Sequence, residues 1–306
     1  MRIYLFILCT ICSLLSNAQN FEFNGFTFSI LRGEKCELIE APNYEEVKIP
    51  SEVVYENIIY NVVSIAQGAF NNHNEVKKLW IPSSITSINQ AFIGCNINEL
   101  HIEDIASWCA VDFLSPMYST PFYYDCNLFI NDELIEHLII PEGVEIINSS
   151  AFQYTKIKEL SLPNSLEKIG ENAFVYCNEL ERIFFSEGLK TIAEGAFMGC
   201  AKLDLINLPT SLEELGRIAF ADCKTLSSLN IPENVITIGE QLCDGNVGLE
   251  TAKILTPIST IPRFTFRGCE NLSSVVISDG TGYISEGAFQ NCSHLRFLIL
   301  PKTIYG

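Results

Sequence analysis

Basic residues are scarce in this chain of 306 residues, which has 19 lysines and arginines against 37 aspartates and glutamates. The formal net charge is therefore −18 at pH 7, and the pI is near 4.6. Phosphate backbones and anionic lipid headgroups repel a protein this acidic, so we expect neither nucleic acid nor an anionic membrane surface as a partner. The excess of carboxylates either keeps the protein soluble or attracts a basic partner.

Residues and motifs that support catalysis are also few. The four histidines, His73, His101, His137 and His294, show no i, i+4 spacing that would place two zinc ligands on one helix face. The chain contains no G-x-S-x-G, Walker A or G-x-G-x-x-G motif. We therefore expect a protein that is not an enzyme and that binds no metal or cofactor.

Long apolar runs are absent after the N-terminus, so no later segment is expected to span a membrane. The N-terminus combines Arg2, an apolar stretch that ends at Leu15 and the small residues Ser16 and Ala18. This combination is typical of a secretory signal peptide over residues 1–18, with cleavage after Ala18. The sequence thus predicts a secreted or cell-surface protein.

What the chain has in abundance is a pattern that returns about every 23 residues, a period in the range of solenoid repeats. Each copy contains Ala-Phe, a Cys three positions later and then Leu-x-x-Leu-x-Leu/Ile, commonly followed by Pro. A period of this kind indicates a solenoid, in which every coil buries its apolar side chains against its neighbours. From Phe152 onward the Phe position recurs at a nearly constant step, at Phe174, Phe197, Phe220, Cys243 (in place of Phe), Phe266 and Phe289.

Within one period, the apolar run is too short to be a helix with its own core and predicts a short strand. Leu203, Ile206 and Leu208 form one such run, and Pro209 then ends ladder pairing because it has no N–H to donate. We interpret the Ala-Phe segment as one or two tight helical turns that place Phe in the interior.

The pattern resembles the BspA-like, or TpLRR, class of leucine-rich repeats. The likeness rests on the motif LPxSLxxIGxxAFxxCxxLxxL, which residues 162–180 match best and which extends over about residues 47–306. The fold expected from it is a leucine-rich repeat solenoid, β-rich with short helical turns, in a right-handed curved stack of about ten coils of about 22–23 residues. The resemblance also implies a secreted or surface-exposed protein of a host-associated microbe, and several such proteins adhere to host matrix proteins or to other bacteria.

Two segments depart from the period. Residues 19–46 alternate apolar and polar side chains around Asn24-Gly25, which predicts a β-hairpin cap over the first coil. The second is an insertion at about residues 103–134, with a short helix predicted to follow Asp104 and a hairpin predicted at Asn131-Asp132. The insertion is either a projecting ligand-binding loop or an elaborated coil that buries its aromatic residues.

Six of the cysteines occupy the same position of the repeat. Stacked coils about 4.8 Å apart would allow disulfides by distance, but equivalent side chains point the same way, so we expect a column of small buried thiols. Outside this column, Cys109 and Cys126 are the pair that we consider as a disulfide. The six column residues are Cys95, Cys177, Cys200, Cys223, Cys269 and Cys292.

The residues that flank the second Leu of each strand point away from the core, so they form the candidate binding surface. Outward aromatic and branched side chains have no core to fill there, although flat sheets also tolerate scattered exposed apolar residues. The candidate protein-binding residues are Lys78, Trp80, His101, Arg182, Phe184, Asn207, Asn230, Lys253 and Phe297.

These observations predict a secreted or cell-surface, non-enzymatic binding protein that adheres to host matrix or other cell-surface proteins through its repeat face. The alternative is a structural module of a surface complex that self-associates through an uncapped C-terminal coil, because the chain stops in mid-repeat at residues 302–306. A third hypothesis is a glycan-binding or glycan-processing protein that uses the insertion.

Overall fold

The computed structural model describes residues 19–115, 119–124 and 126–304 of the chain. These residues form a β-solenoid of about 11 coils with almost no helix, which confirms the predicted leucine-rich repeat architecture. The predicted signal peptide, residues 1–18, lies outside the described residues.

The strands are short and follow one another around the coils. The N-terminal strands are β1 (Asn20–Phe23), β2 (Phe26–Leu31), β3 (Lys35–Glu40), β4 (Glu46–Lys48), β5 (Glu52–Tyr55), β6 (Ile58–Ile65), β7 (Lys78–Ile81), β8 (Ser87–Ile88) and β9 (Glu99–Ile102). The insertion contributes α1 (Ile105–Cys109), β10 (Asp112–Phe113), a 3₁₀ helix (Pro121–Tyr124), β11 (Asn127–Ile130) and β12 (Glu133–Leu134). The remaining strands are β13 (His137–Ile139), β14 (Ile146–Ile147), β15 (Glu159–Ser161), β16 (Lys168–Ile169), β17 (Arg182–Phe184), β18 (Thr191–Ile192), β19 (Glu214–Leu215), β20 (Ser228–Ile231), β21 (Thr237–Ile238), β22 (Thr251–Ile254), β23 (Thr260–Ile261), β24 (Ser274–Ile277), β25 (Tyr283–Ile284) and β26 (Phe297–Ile299).

Strands of successive coils pair in parallel and in register, so each coil adds one strand to a growing sheet. One set comprises the sheets β13-β15-β17 and β20-β22-β24-β26, and a second set comprises β14-β16-β18-β19-β21. Leu160 of β15 lies between Leu138 of β13 and Ile183 of β17, and all three side chains are buried. Between β17 and β20, Leu205 forms only isolated bridges, to Arg182 on one side and to Ser228 on the other.

The first three strands form an antiparallel unit at the N-terminal end of the core. β1 pairs with β2, and Asn24 and Gly25 turn the chain between them, as the hairpin signature predicts. β2 then pairs with β3, and β3 pairs in parallel with β6 of the solenoid. The buried Phe21 and Phe28 contribute to the same hydrophobic core as the coils.

Stacked phenylalanine rings run along the interior. Ring centroids lie 5.5 Å apart for Phe152 and Phe174, 5.3 Å for Phe174 and Phe197, and 5.5 Å for Phe197 and Phe220. The planes within these pairs differ by at most 9°, and all four side chains are completely buried. We call this set the phenylalanine column. Each buried Phe contributes about 1.5–3 kcal/mol through the area it removes from water, so the column is a main source of cohesion between coils.

The Ala-Phe segments are turns, and the prediction of short helical turns is wrong. Within a segment, every second N–H bonds to the carbonyl three residues earlier, as from Cys200 N to Phe197 O at 3.3 Å. The N–H groups between them bond to the next coil, as from Phe197 N to Ala219 O at 2.9 Å. Because alternate N–H groups are used between coils, a run of i→i−4 helical hydrogen bonds cannot form.

The repeated cysteines form a column of free thiols. Cys109 is a free thiol, so the disulfide considered between Cys109 and Cys126 is not formed. In the column, the Cys200 thiol donates to the Phe174 carbonyl of the previous coil, with Sγ and O 3.3 Å apart. Cys95, Cys177, Cys223 and Cys292 make the same contact with the preceding Phe carbonyl, and Cys269 makes it with Cys243.

Two backbone positions of each turn segment have a positive φ angle. One position precedes Ala or its equivalent, and the other precedes Cys or its equivalent. Residues with a Cβ strain the backbone in this region by about 1–2 kcal/mol, and Asn and Asp tolerate it best. Ile218, with φ of 50°, is a bulky occupant of the first position. The nine residues at the first position are Gly68, Gln90, Ser150, Asn172, Gly195, Ile218, Gln241, Phe264 and Gly287.

We expect the replacement Ile218→Asn to stabilise the protein. Asn172 already occupies the equivalent position two coils earlier, so the change relieves backbone strain and loses only a half-buried side chain. The net gain should be about 0.5–1 kcal/mol in the free energy of unfolding, measured with urea. Ile236→Asn is the control because Ile236 is 70% exposed, and it should change stability by less than about 0.5 kcal/mol. A loss of stability in Ile218→Asn would mean that burial of the side chain outweighs the strain.

The described part of the insertion packs against the coils as an elaborated coil. Helix α1 begins after Asp104, whose carboxylate accepts hydrogen bonds from the first turn at 2.6 Å. Trp108 is buried and donates its Nε1–H to the Ala151 carbonyl at 2.8 Å. β11 and β12 form a hairpin with Asn131 and Asp132 at positive φ, so both elements occur where the sequence predicts them.

Candidate functional site

The candidate binding residues lie on the outward side of the strands, in a row of positions that we call the sheet face. It has an N-terminal stretch from β4 to β12, a middle stretch from β13 to Leu205 and a C-terminal stretch from β20 to β26. Lys78 and Trp80 are half-buried, and His101 is buried. The exposed candidates are Arg182, Phe184, Asn207, Asn230, Lys253 and Phe297.

Four side chains of the N-terminal stretch form an aromatic stack across neighbouring strands. Lys48 Nζ lies 4.4 Å from the centroid of the Trp80 ring. The His101 ring lies between Trp80 and Phe129, with centroids 4.2 Å and 4.7 Å away. The four residues are paired in register on β4, β7, β9 and β11. Each such contact contributes about 0.5–1.5 kcal/mol, so this stretch is stiffened by its own side chains.

His101 and Trp80 are therefore less accessible than the sequence predicts. Both faces of the His101 ring are covered, and its side chain is only 8% exposed. His101 Nε2 lies 3.3 Å from Glu99 Oε2, and Nδ1 lies 3.1 Å from Asp132 Oδ1 without the geometry of a hydrogen bond. His101 therefore has little surface to offer a partner, because Trp80 and Phe129 cover the two faces of its ring.

The middle stretch exposes a group of apolar side chains, Ile139, Phe184 and Leu205, which we call the middle apolar patch. Their exposed fractions are 56%, 50% and 52%. Ile139 and Phe184 lie on either side of Ser161 in three paired strands. Leu205 is paired with Arg182, which is on the same strand as Phe184. Ser161 is small, and the Phe184 ring stays half exposed, with the His137 ring centroid 6.3 Å away.

Charged residues border the middle apolar patch. Arg182 is exposed and forms an ion pair with Glu159, with Nη2 and Oε1 2.6 Å apart. Beside it is a surface hollow of about 600 Å³, which we call the charged hollow and which is lined by Glu181, Arg182, Lys202, Asp204 and Thr225. Apolar anchors within a polar border are the usual composition of a protein-binding surface. Ile139 and Leu205 belong to the outward positions of the repeat, but the sequence alone did not separate them from the other outward residues.

The C-terminal stretch is mainly polar. Asn230 of β20 and Lys253 of β22 are exposed at equivalent positions, and Asn207 is exposed at the same position of the coil before β20. Phe297 on β26 is 65% exposed and is followed at the next outward position by the exposed Ile299. Beyond the N-terminal stretch, the exposed apolar residues of the sheet face are thus concentrated in the middle apolar patch and on β26, with a polar segment between them.

The described residues contain no group of three or more His, Cys, Asp or Glu side chains that could hold a metal ion. In that same part of the chain, we find no helix with the length and apolar character needed to cross a membrane. Burial raises the pKa of the Cys177 thiol to about 12, so it stays protonated and unreactive at neutral pH. The sheet face itself offers noncovalent contacts: apolar anchors, ion pairs and amides.

Comparison with known proteins agrees with this architecture. The family model of the BspA type leucine rich repeat region matches in six copies, over residues 42–109, 124–250 and 192–305. These matches cover more than half of the chain, and the protein therefore belongs to the BspA-type leucine-rich repeat family. No curated protein matches the chain significantly.

Solved structures show the same fold. A leucine-rich repeat protein from Bacteroides ovatus is 20% identical, with a TM-score of 0.53 over 93% of this chain and 89% of that one. One from Eubacterium ventriosum is 16% identical, with a TM-score of 0.50 over 91% of this chain and 83% of that one. The leucine-rich repeat protein of T. pallidum is 18% identical and covers 91% of both chains, with a TM-score of 0.42. At these identities the similarity concerns the fold alone.

Proposed function

We propose that this chain is a secreted or cell-surface binding protein without enzymatic activity, which holds a protein of a host matrix or of another cell surface on its sheet face. The observation that carries the proposal is the middle apolar patch, where three large side chains are at least half exposed beside the charged hollow. Export through residues 1–18 is part of the same proposal.

Physical reasoning favours this patch over the rest of the sheet face. Binding energy concentrates in a few aromatic and arginine side chains that lose their contact with water when the partner docks. Phe184 and Arg182 are of this kind and lie on one strand, with Leu205 adjacent. The aromatic stack has already used most of its ring surface in internal contacts, so it has less area to offer a partner.

The size of the sheet face fits a protein partner better than a small molecule. A stable protein interface buries about 800 Å² on each partner. Parallel strands lie about 4.8 Å apart, so the strand positions from β13 to β24 extend over several coils and present many side chains at once. An elongated ligand can follow this row while its apolar groups contact the middle apolar patch.

Replacement of Phe184 tests the proposal. Binding of the protein to immobilised host matrix proteins (fibronectin, fibrinogen, laminin and collagen) is measured by surface plasmon resonance. We expect at least one of them to bind, and Phe184→Ala to weaken that binding about tenfold or more, which corresponds to about 1.4 kcal/mol. Ile236→Ala is the matched control, because Ile236 is exposed but lies off the sheet face. Equal affinities of Phe184→Ala and the wild type would remove this face as the binding site, and no binding to any of the four would contradict matrix adhesion.

The alternative function, self-association of the chain as a structural module, stays a prediction. The exposed Phe297 and Ile299 on β26 are the apolar residues that such a contact would use.

A further inference from the structure

Tyr154 and Tyr176 occupy a backbone position with positive φ, where the other coils have residues that tolerate this conformation. At the position before Cys, Tyr154 has φ of 62° and Tyr176 has φ of 55°. The other coils place Gly, Asn or Asp at this point, and a bulky side chain there strains the backbone. The seven other residues are Asn72, Gly94, Gly199, Asp222, Gly245, Gly268 and Asn291.

The two tyrosine rings are held side by side at the surface. Their centroids lie 5.4 Å apart, and their planes differ by 24°. Tyr176 is 38% exposed, whereas the phenylalanine column beneath is completely buried. Gly199 of the next coil leaves room for this arrangement, since a Cβ there would collide with the Tyr176 ring. Tyr154 is partly buried against the hydrophobic core, and Tyr176 extends the pair to the surface.

These rings line a pocket that is separate from the sheet face. The pocket has a volume of about 440 Å³, and Tyr154, Tyr176, Lys156, Asn178 and Glu179 contribute to its walls. Lys156 and Glu179 also line a second hollow of about 190 Å³, which continues towards the β11–β12 hairpin. We call the two together the tyrosine pocket. Volumes of this order are typical of sites for small ligands.

The side chains of the tyrosine pocket define the chemistry of its ligand. The two hollows are lined by two lysines, Lys156 and Lys158, and by two glutamates, Glu136 and Glu179, so neither an anion nor a cation is selected by net charge. An ammonium, a carboxylate and an amide offer donors and acceptors to a ligand with many hydroxyl groups. Tyrosine combines a flat apolar body with a hydroxyl tip, which suits a ring that has a C–H face and a polar rim.

We propose that the tyrosine pocket binds a neutral saccharide of one or two pyranose rings. The exposed edges of the stacked Tyr154 and Tyr176 rings contact the sugar ring, while Asn178, Lys156 and Glu179 exchange hydrogen bonds with its hydroxyl groups. This site is distinct from the protein-binding surface proposed above and does not depend on it.

Saccharide binding by the full chain tests the proposal. Saturation-transfer NMR and calorimetric titration are carried out with maltose, cellobiose, lactose and diacetylchitobiose. We expect at least one of them to bind, and Tyr176→Asn to weaken that binding at least tenfold. Because Asn72 and Asn291 occupy the same backbone position, the melting temperature of Tyr176→Asn should be unchanged or higher.

Ile218→Asn is the matched control, since it relieves the same kind of strain away from the pocket and should bind the sugar as the wild type does. Asn178→Ala serves as a second variant, because Asn178 is exposed and its removal leaves the fold intact while it lowers sugar affinity. Phe184→Ala should leave sugar binding unchanged, which separates this site from the sheet face. Absence of binding by all four disaccharides, or wild-type affinity in Tyr176→Asn and Asn178→Ala, would overturn the proposal.

Discussion

Phe197→Ala is expected to lower the free energy of unfolding by about 3–5 kcal/mol, the usual cost of removing a buried aromatic ring. The ring is completely buried between Phe174 and Phe220, with centroids 5.3 Å and 5.5 Å away, and Phe185 packs edge-on at 6.0 Å. Neighbouring coils cannot close the gap, because their backbones are held apart by the hydrogen bonds between coils. Urea unfolding followed by circular dichroism measures the effect.

The same substitution at the surface provides the control. Phe297 is 65% exposed, so Phe297→Ala should change stability by less than about 0.5 kcal/mol. If the two variants unfold at the same urea concentration, the phenylalanine column is not the source of cohesion that the structure indicates. Because repeat proteins can unfold in parts, a second unfolding phase in Phe197→Ala alone would place the break at the damaged coil.

Raising the pH above 9 is expected to unfold the protein through its buried thiols. Burial raises the pKa of both Cys177 and Cys223 from 9.0 to about 12, and it raises the pKa of Cys200 strongly as well. In the unfolded chain these thiols lose their protons near pH 9, whereas the folded chain keeps them. The folded state therefore binds more protons, and stability falls as the pH rises from about 9 towards 12.

The size of this effect follows from proton linkage. Each thiol that is protonated only in the folded state lowers stability by about 1.4 kcal/mol per pH unit, so the three thiols together lower it by about 4 kcal/mol per unit. Below about pH 8.5 the thiols are protonated in both the folded and the unfolded chain, so they no longer make stability depend on pH. Circular dichroism during an alkaline titration should show a cooperative transition between pH 9 and 11.

Tyrosine and lysine side chains titrate in the same range, so the test requires a variant in which only the thiols change. Thr155 occupies the column position in one coil, where its Oγ1 donates to the Phe152 carbonyl at 2.8 Å. The triple variant Cys177→Thr, Cys200→Thr and Cys223→Thr should keep its fold at neutral pH and unfold at least half a pH unit later (about 2 kcal/mol by the same linkage). An unchanged alkaline midpoint would assign the transition to groups other than the thiols.

The regular part of the fold could be predicted from the sequence, because residues one repeat apart are paired in neighbouring coils. Arg182, Leu205 and Ser228 follow one another at intervals of one repeat, and the structure bridges them in that order. The thiol column could be predicted in the same way, because its cysteines occupy one position of the repeat. Helical turns were predicted wrongly for the Ala-Phe segments, because composition does not reveal that every second N–H is used by the next coil.

The aromatic stack could not be predicted in this way. The steps from Lys48 to Trp80, to His101 and to Phe129 are all of different length, so no constant offset aligns them. Only the pairing of β11 with β9 brings Phe129 onto His101. The tyrosine pair, in contrast, left a signal in the sequence: two tyrosines stand where the other repeats have Gly, Asn or Asp before the Cys position.

Several ion pairs on the surface of the coils share one separation. Lys190 bonds to Glu167, Lys202 to Glu179 and Arg217 to Glu194, and each pair is separated by the length of one repeat. Because these pairs join equivalent positions of neighbouring coils, the gain or loss of one whole repeat keeps the strands in register, whereas a loss of any other length breaks the register where it occurs. Such proteins can change their length over evolution in whole repeats. The sheet face then becomes longer or shorter while the structure of each coil stays the same.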